Sequence, residues 1–300
     1  MQEADYTSQP GSAVFPELTT DVNEWIANVS AAINRHIADS DEHQWLLKQS
    51  NYTHFQSLIT ISNLGLTAGR ILDVGAGTGA LTLDLGWLQR NKGEIIAVDN
   101  DPMGLEILSK MADELGISVR TKLGNAYDLP VESSTQDLTV ARLLLQHLDR
   151  PVAALREMTR VTRPGGKVLV MDIDDEISVS DPPGAVAFQN LRNAVRELQA
   201  LYGGDRKIGH KLYRYMKEAG LVNIQVVLIP AMRLGNQSGR DPVAEAYQAD
   251  RFMSKKDDLL VAGLITEEAF NAGIEELKTS FAEDRFELEA QFVVVGNVPG

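Results

Sequence analysis

A chain of 300 residues, 44% apolar, with no cysteine and a net charge of −14 (42 acidic side chains against 28 Lys and Arg), is long enough for one large domain or for one domain with a substantial insertion. It excludes disulfides, thiolate metal sites and cysteine nucleophiles, and its acidity opposes broad binding to phosphate backbones, so no nucleic-acid partner is expected. No apolar run reaches the roughly 18 residues of a membrane span, and the opening MQEADYTSQPGSAV is acidic and polar, unlike a signal peptide, so the chain reads as cytoplasmic with no membrane partner.

Residues 1–20, with Gly, Pro, Ser and Thr throughout, read as disordered. Residues 21–63 read as helices: DVNEWIANVSAAINRHI sets Val22, Trp25, Ile26, Val29, Ile33 and Ile37 near one face. From 64 to 176 strands alternate with helices. Strands are expected at 70–74, 94–99, 118–123, 137–141 and 167–173, and helices at 79–90, 102–115 and 151–162. That alternation predicts an α/β fold with a doubly wound parallel sheet. Residues 177–300 then read as helices at 184–202 and 207–219, a strand at 222–230, a helical block at 241–282 and a last strand at 285–297. The 21–63 helices and the two insertions, about 177–220 and 231–282, are expected to form a helical cap over the sheet. Pro164, Gly165 and Gly166 read as a turn between helix and strand, with no chemistry assigned.

The stretch RILDVGAGTGALTLDL, 70–85, carries the first functional signal. A buried-strand run meets Gly75, Gly77 and Gly79 and turns at once into a helix. Glycines reach positive φ and let a ligand approach the backbone, and the amides of the following helix point at that ligand. Asp99 ends the next strand, 20 residues beyond Gly79, where an acid can accept two hydrogen bonds from a ribose diol. The G-x-G-x-G spacing, preceded by Asp73, departs from the G-x-G-x-x-G of dinucleotide sites.

At this point the chain resembles a family. ILDVGAGTG, AVDND, GNAYDLP, DLTVARLLLQHLDRP and VTRPGGKVLVMD stand in the order and spacing of class I S-adenosylmethionine (SAM)-dependent methyltransferases. The chain looks most like their small-molecule and natural-product branch, similar to ubiquinone/menaquinone-type enzymes, over about residues 50–230. The resemblance implies a Rossmann-like methyltransferase fold with seven strands, the last antiparallel, and S-adenosyl-L-methionine as the cofactor. It implies that Gly75, Ala76, Gly77 and Gly79 pass under the methionine and ribose, that Asp73 organises the loop and the ammonium, and that Asp99 binds the ribose hydroxyls. Asn100 joins that set, and Met103 packs on adenine or serves as a helix-start core residue. Asn125 and Ala126 hold the adenine edge, although the pattern usually has Asp where Asn125 stands. Arg142 lies beside the methionine, and Tyr52 sits on a helix that in relatives often covers the cofactor.

Methyl transfer from a sulfonium is an in-line displacement, and alignment of the reacting atoms supplies much of the rate. A base is needed only where the acceptor must lose a proton. His147 and Asp172 are the candidate catalytic residues. Asp174, Asp175 and Glu176 share the strand end with Asp172, whose alternation sends Asp172 and Asp174 to one face. His210 reads as a surface or hinge residue, and no metal is expected. The expected function is methyl transfer to the O, N or C of a small, partly apolar acceptor, a small-molecule partner that the sequence does not identify. The alternatives are a SAM-binding protein with a cyclase-like or regulatory role and a protein methyltransferase; an NAD(P) oxidoreductase is disfavoured by the glycine spacing.

Overall fold

The strands are β1 (Ile71–Val74), β2 (Ile95–Asp99), β3 (Arg120–Leu123), β4 (Gln136–Arg142), β5 (Thr162–Asp181), β6 (Val222–Leu234) and β7 (Phe286–Asn297). The computed structural model describes residues 20–39, 47, 58, 61, 64, 69–90, 92–181, 183, 185–234, 249–280 and 286–300. The strands form one sheet in the order β3-β2-β1-β4-β5-β7-β6. β1 to β5 run parallel, and β7 is antiparallel to both β5 and β6. From β1 the chain moves outward to β2 and β3, then returns to lay β4 on the other flank of β1. That reversal opens a crevice at the carboxyl ends of β1 and β4, where open α/β sheets take their ligands.

Eight helices accompany the strands among the described residues: α1 (Thr20–Asp39), α2 (Ala80–Gln89), α3 (Pro102–Glu114), α4 (Pro151–Val161), α5 (Val186–Leu201), α6 (Leu212–Glu218), α7 (Lys256–Val261) and α8 (Glu267–Ser280). Strand alternation sorts the core. Leu72, Val74, Val98 and Val170 meet Leu155 and Met158 of α4 and Leu212 and Met216 of α6 on one face. Ile71, Ile95, Val140 and Leu169 meet Leu81 and Leu85 of α2 on the other. β1 is buried along its whole length, which is why its sequence is apolar at consecutive positions apart from Asp73.

Two expected cap segments pack elsewhere. Trp25, Ile26, Val29 and Ile33 of α1 lie against Leu105, Leu108 and Met111 of α3, and Trp25 Nε1 donates to Asp84 Oδ1 of α2 at 2.9 Å. α1 is thus an outer layer on the core. α6 likewise belongs to the sheet layer. The cap core is formed by Leu191 and Leu198 of α5, Phe252, Leu259 of α7, and Phe270, Ile274 and Leu277 of α8.

β5 differs from its expected span at both ends. Thr162 already pairs with Gln136, and the register slips before Leu138 pairs with Lys167. Pro164-Gly165-Gly166 therefore forms an irregularity inside the strand, tied to the chain end by Gly165 N donating to Val298 O and Val298 N to Gly166 O, both 2.9 Å. Beyond Ile173 a second slip carries β5 on to Asp181, where Ser178–Asp181 pair with β7, and β6 follows on the far side of β7 as far as Leu234. These three strands overshoot the parallel sheet. Among the described residues no helix is long and apolar enough to cross a membrane.

The seat of the cap is testable. A Cβ on Gly273 of α8 would stand 2.9 Å from Leu191 Cβ and 3.0 Å from Ala187 O of α5. Gly273→Val is expected to destabilise the cap by about 1–3 kcal/mol through overpacking, with faster amide exchange in α5 and α8 and unchanged exchange in β1 and β4. Unchanged exchange in both helices would contradict this packing.

Candidate functional site

The loop after β1 is held from below. Gly75 N and Ala76 N both donate to Val98 O of β2, at 2.8 and 3.2 Å, and Gly79 N donates to Ala76 O at 2.8 Å. Gly75, Gly77 and Gly79 all have positive φ, 72°, 53° and 89°, a region that side chains disfavour. Their surroundings divide them. A Cβ on Gly75 would run into Leu144, and one on Gly79 into Leu108, whereas one on Gly77 would meet nothing within 4 Å. Gly77 faces open space at the tip of the loop.

Asp99 fixes that tip. Its Oδ2 accepts from Gly77 N at 2.7 Å and its Oδ1 from Asp101 N at 3.0 Å. Each oxygen keeps a second lone pair. Asp101 in turn caps α3, accepting from Met103 N at 3.0 Å, with Pro102 in the first turn. Asn100 and Met103 are exposed beside Asp99, Met103 by 48%. Below the loop, Asp73 is buried and accepts from Thr82 Oγ1 at 2.6 Å. Burial pushes its carboxyl up to about 6, against the Thr82 bond and the charge of Arg142, while Asp99 adds a smaller push upward. Asp73, Arg142 and Asp99 thus feel one another across the ends of β1, β4 and β2.

After β3, residues 125–128 make a tight turn in which Asp128 N donates to Asn125 O at 3.0 Å. Asn125 is exposed and its Oδ1 accepts from Tyr127 N at 2.9 Å, so the side chain shapes the turn; Ala126 packs at the edge of the core. Tyr127 Oη reaches across to Asp149 Oδ1 at 2.5 Å, with Arg150 over its ring at 4.4 Å. Tyr52 lies outside the described residues.

The turn after β4 completes the site. Leu143 has a φ of 53° and donates its N–H to Met171 O at 2.8 Å. A single 3₁₀ turn, Leu145–His147, follows. Asp172 is fully buried and accepts from Gln146 N at 3.1 Å and from Ile173 N at 2.9 Å. Burial pushes its carboxyl up to about 7, opposed by those bonds and by the charge of Arg206. Gln146 O accepts from Gln199 Nε2 of α5 and from Asp205 N, both 2.7 Å. Arg206 grips Asp175 through Nε at 2.7 Å and Nη2 at 3.1 Å, and Arg196 adds a third bond at 3.0 Å. Burial pushes Asp175 up, but the charge and hydrogen bonds of Arg206 and Arg196 hold it at about 2. His147 keeps an exposed edge, yet burial of its imidazole, with the charges of Arg206, Lys255 and Arg251, lowers it to about 4. Asp174, Glu176 and His210 cluster closely enough for a metal. Asp174 there accepts from His210 N and Nδ1, at 2.8 and 2.6 Å, and Lys207 Nζ sits 2.6 Å from Glu176.

The structure therefore gathers Asp73, the glycine loop, Asp99, Asn100, Met103 and Arg142 at the carboxyl ends of β1, β2 and β4, with Asn125 and Ala126 after β3 and His147 on the turn toward the cap. Thr82, Leu144, Gln146, Arg206 and Tyr127 were not foreseen. Only Thr82, one turn into a helix that begins at the loop, left a signal in the sequence.

Residues 72–170 match the family model described as a methyltransferase domain. Over 122 residues the chain is 36% identical to the ubiquinone/menaquinone biosynthesis C-methyltransferase of Shewanella baltica, covering 39% of this chain and 48% of that protein. The chain spans about half the length of the curated relatives it matches. The solved structure of the YcgJ protein of Bacillus subtilis superposes with a TM-score of 0.54 at 21% identity, covering 82% of this chain and 100% of that one. Phosphoethanolamine N-methyltransferase 2 of Haemonchus contortus, solved with S-adenosyl-L-methionine, gives a TM-score of 0.52 at 16% identity, covering 89% of this chain and 60% of the other. The fold is the Rossmann-like methyltransferase fold, and the core is similar in sequence to ubiquinone/menaquinone-type methyltransferases.

Asp172 sets a pH dependence. A carboxyl raised to about 7 when folded and near 3.8 when unfolded favours folding below pH 4, and that contribution is lost as pH rises through 7. The full swing is on the order of 4 kcal/mol. Asp172→Asn is expected to gain on the wild type by several kcal/mol between pH 4.5 and 8 in urea denaturation. Parallel stability curves would show that Asp172 does not carry this proton.

Proposed function

We propose that this chain transfers a methyl group from S-adenosyl-L-methionine to a small-molecule acceptor bound between the strand ends and the cap. The observation that carries the reading is the loop tip at Gly77, open where a Cβ would otherwise stand and pinned by the carboxylate that still has lone pairs to offer. A strand-end acid with free lone pairs suits the two hydroxyls of a ribose. Met103 offers an apolar wall next to it for adenine, and Ala126 and Asn125 stand along the adenine edge, Asn125 through the remaining lone pair of Oδ1. Arg142 and Asp73 lie on the methionine side, where Asp73 holds the loop through Thr82 and its negative charge favours an ammonium.

When bound, S-adenosyl-L-methionine supplies an electrophilic methyl on a sulfonium whose departure leaves a neutral thioether. The chain's part is to hold the acceptor in line and to exclude water, which accounts for much of the rate. His147, neutral at working pH, is the residue placed to take the acceptor's proton on its imidazole. Asp172 is a positioning residue in this reading: fully buried, it holds the His147 turn through Gln146 N.

Two measurements test this. Gly77→Ala should fold, with a strain cost of about 1–2 kcal/mol at its positive φ, and should lower SAM affinity about tenfold or more by filling the open tip. Asp99→Ala loses charge-assisted hydrogen bonds worth roughly 1.5–3 kcal/mol each and should do the same. Calorimetry showing unchanged affinity in both variants, or NAD bound more tightly than SAM, overturns the cofactor assignment. For the base, His147→Gln should lower kcat by about 10²–10⁴-fold with SAM affinity intact. The acid limb of wild-type kcat/KM should lie near pH 4; a limb at 6.5 would remove His147 from the chemistry.

A further inference from the structure

We infer that Tyr127 is a positioning residue that couples the bound cofactor to the cap: through its hydroxyl on Asp149 it locks the turn carrying His147 once the adenine edge is occupied. The inference rests on the methyl-transfer reading and adds how the cofactor half of the site governs the acceptor half.

The turn after β3 is fastened at both ends and open in the middle. At one end Gly124 N donates to Asp99 O at 2.9 Å, so the turn hangs from the strand end that pins the glycine loop. At the other, Leu129 N donates to Glu157 Oε2 of α4 at 3.0 Å and Leu129 O accepts from Arg160 Nη2 at 3.1 Å. Between them Asn125 bonds within the turn. Among the described residues, Tyr127 is the one side chain of 125–128 that hydrogen-bonds outside it. Its Oη donates to Asp149 Oδ1 at 2.5 Å and accepts from Arg150 N at 3.3 Å. The Arg150 guanidinium covers the ring at 4.4 Å and faces Asp149 Oδ2 at 3.7 Å. Burial and then the bond to Asp149 push the phenol above its ordinary range, and the same bond holds the carboxyl below its own. The donor stays protonated and the acceptor ionised throughout the neutral range.

Asp149 is also where the cap comes down. A Cβ on Gly203, just beyond α5, would stand 2.7 Å from Asp149 Cβ and 3.3 Å from its Cα, so bare backbone rests on that residue. A Cβ on Gly204 would stand 2.7 Å from Gln146 O, which accepts from Gln199 Nε2 and Asp205 N. Residues 199–205 thus clasp both ends of the stretch Gln146–Asp149, with His147 between them. Tyr127 grips the same stretch from the adenine side, while Leu144, under Gly75, links it to the glycine loop on the methionine side.

A solvent-facing bond between two loop tips contributes little to folding, because ordering both tips offsets most of it. Its weight falls on binding. Adenine against Asn125 and Ala126 orders the turn, and the freedom that Tyr127 would lose in reaching Asp149 is then already lost. Linkage makes the effect mutual: the factor by which the cofactor strengthens the clamp is the factor by which the clamp strengthens cofactor binding. With the cofactor site empty the clamp is loose and the cap rests on a less ordered turn.

The test follows amide exchange by NMR in the full chain. The probe is adenosine, which fills the ribose and adenine part of the site and leaves the methionine side beside Leu144 empty. The reporters are the hydrogen-bonded amides of Gln146, His147 and Leu148 in the turn and of Gly204 and Asp205 in the cap. In the wild type, saturating adenosine should slow their exchange by at least about fivefold. Tyr127→Phe keeps the ring under Arg150 and loses the hydroxyl. Adenosine should still slow exchange at Ala126 and Asp128 of this variant but no longer at the five reporters, and calorimetry should show S-adenosylhomocysteine affinity lower by about fivefold or more. Asp149→Ala should reproduce both losses, and Tyr127→Phe/Asp149→Ala should lose no more than either single variant. Asp149→Asn, whose amide oxygen still accepts from the phenol, should keep most of the effect. A merely structural bond would instead speed exchange equally with and without adenosine. The proposal is overturned by slowing at the reporters that survives Tyr127→Phe, by its absence in the wild type with adenosine bound, or by losses that add in the double variant. A wild type that binds neither adenosine nor S-adenosylhomocysteine overturns the methyl-transfer reading itself.

Discussion

The bond from Gly77 N to the Asp99 carboxylate joins three parts that would otherwise move separately. The glycine loop ends β1, Asp99 ends β2, and Asp101, held by the other oxygen of the same carboxylate, caps α3. A loop with three positive-φ glycines has many conformations open to it when unfolded. It becomes a defined surface only because strand β2 holds it through Val98 O and Asp99 at once. Gly75 and Gly79 are required by packing against Leu144 and Leu108, and this frees Gly77 to be the position where backbone lies open. Affinity for a ligand there depends on how well the loop is ordered beforehand, since any ordering left to the binding step weakens it.

A second constraint lies under the turn after β4. Asp172, Gln146, Arg206, Asp175, Arg196 and Gln199 form a largely buried polar network linking β5, the β4 turn and α5. Desolvating that many charges is expensive, and such networks seldom add net stability over an apolar core. What this one supplies is direction. Gln146 has its N–H, C=O and side chain all engaged, so the backbone turn that carries His147 is held in place. The neighbouring groups are displaced in opposite senses, Asp172 upward and His147 downward, which leaves His147 neutral and Asp172 about half protonated near neutrality in a site otherwise dominated by arginine.

How far this was legible in the sequence depended on the range of the forces involved. Buried parallel strands announce themselves by consecutive apolar residues, so the β1, β2 and β4 segments and the glycine turn read directly, while the antiparallel sense of the last strand followed from the family resemblance. β5 did not, because its length is set by β7, more than 100 residues away in sequence, whose pairing continues past a register slip. Pro-Gly-Gly reads locally as a turn, yet hydrogen bonds from Val298 carry it within the strand. The amphipathic face of α1 was visible, but a helix face does not name its partner, and α3 rather than the cap receives it. Asn125 was read for what its amide could offer a ligand; the same oxygen also closes its own turn. The buried network stayed hidden because Arg206 and Asp175 look like surface charges until the fold brings them together.

Among the described residues the cap has a weaker hold than the sheet. Its apolar cluster is separate from the sheet's. Each buried aliphatic or aromatic side chain contributes roughly 1.5–3 kcal/mol, so the few residues of that cluster secure the cap far less firmly than the sheet is secured. Arg192 of α5 ties it to Glu289 of β7 on one side, and the Gln199–Gln146 bond holds it on the other. A unit of low local stability on a rigid platform opens first when the molecule fluctuates. The tether at Gln146 therefore couples any opening of the cap to the turn that carries His147.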